Sequence, residues 1–226
     1  MVRMASNTGR LLLAALAIAG SHCSDASDQL DDPSQQELLG QGSEALTAQQ
    51  EIDFCRASGL NVIIGTSNDD TLNGTANGDC IVALGGQDTV NGLGGNDTIF
   101  GGEGDDVLNG GPGNDTMFGG SGQDRMSGGE GNDVMSGDDG DDRMSGGPGD
   151  DALSGQQGQD SMTGDDGNDF VAGGSGDDGL AGNLGNDRLL DCGDHNRFDG
   201  GAGTNNCQGD ARASTFANCT TRTACP

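Results

Sequence analysis

The sequence predicts an all-β fold, a β-solenoid of about eight coils, on three observations. Sixteen nine-residue units run in unbroken phase from Gly65 to Gln208. Position eight of every unit is apolar, and position six is Asp in all but the last two. Glycine dominates positions one, two and four, which punctuates each unit with a turn.

Gly101-Gly102-Glu103-Gly104-Asp105-Asp106-Val107-Leu108-Asn109 is one complete unit. Its glycines permit positive φ and close approach between coils. Asn, Asp or Gln at position five is the usual choice, and Asn and Asp tolerate the left-handed region. The first six residues therefore make a turn. The last three make a minimal strand, central side chain inward and flanking side chains outward. Two units close one coil, so two thin parallel sheets face each other along a stack of roughly 38 Å at about 4.8 Å per strand. Odd units then form one core ladder: Leu72, Val90, Leu108, Met126, Met144, Met162, Leu180 and Phe198. Even units form the other: Ile81, Ile99, Met117, Met135, Leu153, Val171, Leu189 and Cys207. The five methionines read as adaptable core filler; a copper site would want accessible, clustered thioethers.

The flanks differ in composition. Residues 1–22 read as a secretory signal peptide, with Arg3 and Arg10 before the apolar run Leu11–Gly20 and small residues at Ala17-Ile18-Ala19. That run is too short to span a bilayer as a helix. Cys23 supports a second reading, a lipid-modified N-terminal cysteine; it leaves six other cysteines, an even number, although His22 is unusual for that signal. Residues 23–50 form an acidic linker. Residues 51–64 carry Ile52, Phe54, Leu60, Val62, Ile63 and Ile64, the apolar mass for an N-terminal cap over the open end. Residues 65–208 are the repeat, and residues 209–226 a Cys-containing tail. A Cys55–Cys80 bridge would clamp the cap. Cys192, Cys207, Cys219 and Cys225 would staple the other end, where Asn196 and Asn205 replace Asp.

Charge bounds the partners. The chain holds 37 acidic residues against nine Arg and no Lys, a net charge of -28. Without the periodicity this composition would predict disorder. It argues against nucleic acid and anionic membranes, leaving a lipid anchor at Cys23 as the one membrane contact. Cations are the natural partners. Position six supplies Asp70, Asp79, Asp88, Asp97, Asp106, Asp115, Asp124, Asp133, Asp142, Asp151, Asp160, Asp169, Asp178 and Asp187. Stacked about 5 Å apart, such charges repel by roughly 3 kcal/mol at an effective dielectric near 20. A cation between rungs removes that penalty. Carboxylate and carbonyl oxygens are hard ligands that suit several Ca²⁺ ions better than Zn²⁺, copper or the strictly octahedral Mg²⁺. Metal binding then switches the chain from unfolded to folded.

These units resemble the hemolysin-type calcium-binding repeats of the RTX family, G-G-x-G-x-D-x-(apolar)-x, over about 144 of 226 residues. The resemblance implies a right-handed parallel β-roll with calcium in the turns. Position-six aspartates and backbone carbonyls of paired turns would bind it, which carries over to the fourteen aspartates named above. Asn68 and Asn77 depart from the pattern at position four, and the N-terminal signal and the cysteines are unusual for the family.

No H-E-x-x-H or G-x-S-x-G occurs, and the carboxylates are periodic, so no enzyme is expected. His195 reads as a turn residue. Arg125 and Arg143 share one outward ladder, as solvated charges or as a contact for an acidic glycan. The expectation is a bacterial calcium-binding roll, extracellular or on the outer cell surface, structural or adhesive in role. Its further partner would be a cell-surface glycan or another surface protein. The alternative is a non-catalytic accessory module of a secreted hydrolase or toxin system.

Overall fold

A computed structural model describes residues 47–191, 195–209 and 215–224. The signal, the Cys23 anchor, most of the linker, Cys192 and Cys225 lie outside the described residues. Among the described residues one helix, α1 (Ala48–Ser58), precedes nineteen short strands. The first are β1 (Asn61–Ile64), β2 (Thr71–Asn73), β3 (Asp79–Gly85), β4 (Thr89–Asn91), β5 (Thr98–Glu103) and β6 (Val107–Pro112). Next come β7 (Thr116–Ser121), β8 (Arg125–Glu130), β9 (Val134–Asp139), β10 (Arg143–Pro148), β11 (Ala152–Gln157) and β12 (Ser161–Asp166). The series ends with β13 (Phe170–Ser175), β14 (Gly179–Leu184), β15 (Arg188–Asp191), β16 (Arg197–Asp199), β17 (Asn206–Gly209), β18 (Thr215–Ala217) and β19 (Thr221–Ala224).

All odd strands form a ten-stranded sheet and all even strands a nine-stranded one. Every pairing is parallel, and each repeat residue sits beside its equivalent two units on, as Met144 does beside Met162 and Leu153 beside Val171. The result is an all-β parallel solenoid of about nine turns. It exceeds the expected eight because β1, β18 and β19, outside the repeat, extend the sheets. The N-terminal addition is a degenerate unit in the same phase: Gly59, Asn61 and Ile63 occupy positions four, six and eight. Both core ladders form as the spacing predicts, and all five repeat methionines are buried within them.

Most central strands are six residues long, not three. They continue through positions one to three of the next unit, as in β8. Positive φ falls at positions two and four, for example Gly120 at 108° and Gly122 at 132°. Position five is not left-handed. Its side chain instead accepts a hydrogen bond from the backbone N–H of position five one coil on, as Asp105 does from Gln123 at 2.9 Å. Such ladders satisfy turn N–H groups that no strand partner reaches.

Helix α1 starts at a Thr47–Gln50 capping box and stops at Gly59, which is left-handed. It packs on the flank of the ten-stranded sheet. Phe54 and Cys55 meet Cys80, Val82 and Phe100, whose side chains point out of that sheet. Phe54 meets the Phe100 ring edge-on at 6.2 Å, and Phe100 stacks on Phe118 at 5.2 Å. The Cys55–Cys80 disulfide forms. At the other end Cys207 bonds Cys219, and Phe198 stacks on Phe216 at 4.8 Å.

Glu51 on α1 is half-buried, and its carboxyl is raised to about 7 by desolvation and then by the nearby Asp138 charge. A carboxyl raised on folding stabilises the fold at low pH and loses that contribution as pH rises through the folded value. Glu51→Gln should therefore leave the thermal midpoint little changed at pH 5 and raise it at pH 8. Equal shifts at both pH values would show that the helix contact is indifferent to this charge.

Candidate metal centre

The position-six side chains point into the turns and are sealed from solvent. From Asp88 through Asp187 each is only 1–3 % exposed. The two oxygens of each carboxylate do different things. Oδ1 accepts the backbone N–H of the position-six residue one coil earlier: Asp106 N–H to Asp124 Oδ1 at 2.8 Å, Asp124 N–H to Asp142 Oδ1 at 2.8 Å, Asp115 N–H to Asp133 Oδ1 at 2.8 Å. The bond recurs along both rows, so the aspartates stitch successive coils together.

Oδ2 has no such role. In Asp88, Asp97, Asp106, Asp115, Asp124, Asp133, Asp142, Asp151, Asp160, Asp169 and Asp187 it is buried and accepts no hydrogen bond. A buried ionised oxygen without a partner is costly. Position-one glycine shows what surrounds it. A Cβ on Gly119 would lie 2.3 Å from Asp124 Oδ2 and 2.7 Å from the Gly137 carbonyl oxygen; on Gly128, 2.2 Å from Asp133 Oδ2 and 2.6 Å from the Gly146 carbonyl. Glycine thus keeps open a cradle bounded by a carboxylate oxygen and a carbonyl of the next coil. Among the described residues no three His, Cys, Asp or Glu side chains converge. A cation held by Oδ2 must therefore complete its shell with carbonyls, which fits a hard ion of high coordination number.

The structure sorts the predicted residues. Asp70 and Asp79 differ from the rest, because Oδ2 accepts the Thr66 N–H at 2.6 Å and the Thr75 N–H at 2.5 Å. Thr66 and Thr75 are the described position-two residues without positive φ. In later units position two is left-handed and its N–H does not bond the carboxylate, leaving Oδ2 open. That conformation is imposed even on Leu84, Leu93, Asp138, Gln156, Asp165 and Asn183, at a cost of about 1–2 kcal/mol for each non-glycine residue. Asp178 follows the main pattern, with Oδ1 accepting the Asp160 N–H at 2.8 Å.

The rows end in asparagine. Asn196 and Asn205 keep the coil-to-coil bond, accepting the N–H of Asp178 at 2.7 Å and of Asp187 at 2.8 Å. The Asn205 amide then donates to the Gly200 carbonyl at 2.6 Å. An N–H donor takes the place where an aspartate offers a second negative oxygen. Asp191, at position one, was not singled out in the sequence. It is buried, and its Oδ2 approaches Asp178 Oδ2 around Gly173. The signal was there: Asp stands where almost every other unit has glycine.

Burial first, and neighbouring carboxylates second, raise these groups far above the ordinary value of 3.8; the coil-to-coil N–H pulls the other way. Asp106 and Asp169 reach about 6, Asp115, Asp124, Asp151 and Asp160 about 7, and Asp142 about 8. Without metal the ladder holds protons that the unfolded chain releases.

Two outcomes follow from the carboxylates. Because their folded values are raised, they stabilise the metal-free roll at low pH, and that stability disappears as pH climbs through about 6–8. In chelator, strand circular dichroism should grow as pH is lowered from 8 to 5; a loss of strand would overturn this. Second, Asp124→Asn with Asp142→Asn should weaken calcium binding while increasing strand content in chelator, since the amide can donate as Asn205 does. Asp124→Ala with Asp142→Ala should weaken calcium binding and lose the coil-to-coil bonds, at about 1 kcal/mol or more each. Identical behaviour of the two pairs would refute the separate roles of Oδ1 and Oδ2.

Comparison with curated proteins finds no match. A comparison with protein families matches the RTX calcium-binding nonapeptide repeat (4 copies) at residues 57–90, 82–117, 91–126, 118–153 and 154–189. The match covers more than half of the chain and the stretch in which the open Oδ2 atoms lie. The chain belongs to the RTX calcium-binding nonapeptide repeat family.

Proposed function

We propose that this chain is a secreted or surface-anchored module that folds on calcium and serves a structural or adhesive role, without catalysis of its own. The RTX repeats make it a calcium-binding module. The observation that carries the finer reading is the row of buried Oδ2 atoms without partners. In this reading calcium ions lie along the turns from Asp88 to Asp187, and Asp70 and Asp79 serve mainly as hydrogen-bond acceptors. Calcium supplies positive charge where the fold places negative oxygens, so folding and metal binding are one equilibrium. No helix among the described residues is long and apolar enough to cross a membrane. Attachment in this reading runs through the segment before Thr47 or through a surface partner.

Circular dichroism in chelator at pH 7.5 should show coil, and millimolar Ca²⁺, the range of many extracellular sites, should bring strand. An unchanged spectrum would sink calcium-driven folding. For the role, cells displaying the chain should adhere to their surface in Ca²⁺ and release on chelation; calcium-independent adhesion would remove the adhesive reading.

A further inference from the structure

The outer face of the nine-stranded sheet carries an open groove of about 800 Å³. Arg125, Arg143 and Arg197 line it, among Asn109, Ser127, Ser145, Ser161 and Thr163. All three arginines are exposed. The remaining described arginines are engaged elsewhere: Arg56 pairs with Asp53, while Arg188 and Arg222 lie over Phe170 and Phe216. No carboxylate lies within ion-pair distance of Arg125, Arg143 or Arg197 among the described residues. In a chain of net charge -28 with 37 acidic residues, three guanidinium groups without an ion-pair partner share a groove whose lining holds one carboxylate, Asp199, and that carboxylate accepts hydrogen bonds from the Gly201 N–H and the Asn218 side-chain amide.

The arrangement along the face is specific. Arg125 and Arg143 stand on neighbouring strands in register, about 4.8 Å apart at the backbone. The same row then offers Ser161, Gly179 and Arg197. Arg143 and Arg197 therefore flank a notch about 14 Å long, three strand steps. Its floor is Gly179, where an added Cβ would meet nothing nearer than 3.8 Å. The Ser127 and Ser161 side chains and the amide of Asn109 border the row, while the Ser145 and Thr163 hydroxyls there donate to the Asp165 carboxylate.

We propose that this groove binds an anionic polysaccharide, one bearing carboxylate or sulfate groups at regular intervals. The inference rests on the adhesive reading and gives it a surface and a ligand class. Guanidinium groups bind carboxylate and sulfate oxygens by paired, charge-assisted hydrogen bonds. Hydroxyl and amide side chains answer sugar hydroxyls. The groove is a sheet face without free strand edges, so it does not bind a peptide by strand addition. Repulsion from the rest of the chain is limited, because screening confines it to about 8 Å at physiological ionic strength. Every Ca²⁺ bound in the turns further lowers the negative charge, so binding is calcium-dependent twice over, through the fold and through the field.

The test is titration calorimetry of the calcium-loaded full chain against polygalacturonate, heparin, neutral dextran and duplex DNA. Polygalacturonate and heparin separate carboxylate from sulfate recognition, and binding to either supports the proposal provided dextran and DNA bind far more weakly. Arg125→Ser with Arg143→Ser and Arg197→Ser should weaken binding by about tenfold or more. Gly179→Asp, at an open position, should do the same by placing a carboxylate in the notch. Arg188→Ser, on the other sheet, should bind as the parent does. Calcium circular dichroism confirms that each variant folds. The proposal falls if the folded parent binds neither anionic glycan, if DNA binds as well as they do, or if the folded arginine variant keeps full affinity. Cells that adhere in calcium while the purified chain ignores both glycans would leave adhesion standing and remove the groove. Glycan binding without adhesion would do the reverse.

Discussion

From Asp88 to Asp187 each buried position-six carboxylate is divided between two tasks, and the rest of the roll is arranged around that division. Oδ1 holds the previous coil by its backbone N–H, which fixes the vertical spacing of both sheets. Oδ2 is left inside, against a position-one glycine and a neighbouring carbonyl. The first task needs no metal and the second does. Hydrogen bonding, core packing and metal binding are therefore coupled at every turn. An aspartate rung cannot stack without burying a second carboxylate oxygen, and that oxygen is costly to keep ionised there without a cation. The left-handed residue at position two completes the device, because an N–H in reach would satisfy Oδ2 and compete with the ion. Thr66 and Thr75 show that alternative at the first two units.

The ends follow from the same logic. Asn61 precedes the first even-row aspartate, and Asn196 and Asn205 close the two rows. Asparagine can keep the coil-to-coil acceptor while removing the charge. Where carboxylates stop, other forces take over. Phe198 and Phe216 continue the odd core ladder as an aromatic stack, and the Cys207–Cys219 bond ties the even ladder to the tail. At the start, Cys55–Cys80 fastens α1 to β3. Covalent and aromatic contacts thus hold the rungs that the buried carboxylate rows do not reach, so fraying at either end is resisted without metal.

Much of this was readable from spacing. A period of nine with one apolar and one acidic position determines which residues stack, and both core ladders and both aspartate rows formed accordingly. What spacing did not reveal depends on contacts one coil away. Position five was read as a left-handed turn residue, yet its side chain serves the adjacent coil's N–H. Strands were read as three residues, since glycines at positions one and two look like turn; parallel neighbours on both sides keep them extended to six. Residues 51–64 read as a cap from their apolar mass alone; spacing does not show that they divide into β1, which adds a strand to the end of the ten-stranded sheet, and α1, which packs on the apolar strip that Val82, Phe100 and Phe118 give its flank. The Gly59, Asn61, Ile63 phase and Asp191 stand in the letters, but a single degenerate unit or one replaced glycine acquires meaning only from the coil stacked beside it.

The two outer faces have diverged although the same coils build both. Odd-numbered strands carry Val82, Phe100 and Phe118 outward; Val82 and Phe100 are buried with Phe54 and Cys55 of α1, and Phe118 is half-buried against Phe100. Even-numbered strands carry arginine, serine and asparagine outward and leave them to solvent. The inward positions cannot vary so freely, because each must fill the core and each carboxylate must reach its turn. Variation is therefore pushed to positions seven and nine, which the metal does not need. Because every coil contributes one strand to each sheet, calcium at the turns, as proposed, would set the register of both faces together. A groove spanning five even strands, from Arg125 to Arg197, exists only while all the intervening coils are stacked. Loss of metal from any of those turns would misplace one guanidinium group relative to another. In the proposed reading the repeat provides the spacing and calcium the rigidity, while the residues that neither requires are the ones left to choose a partner.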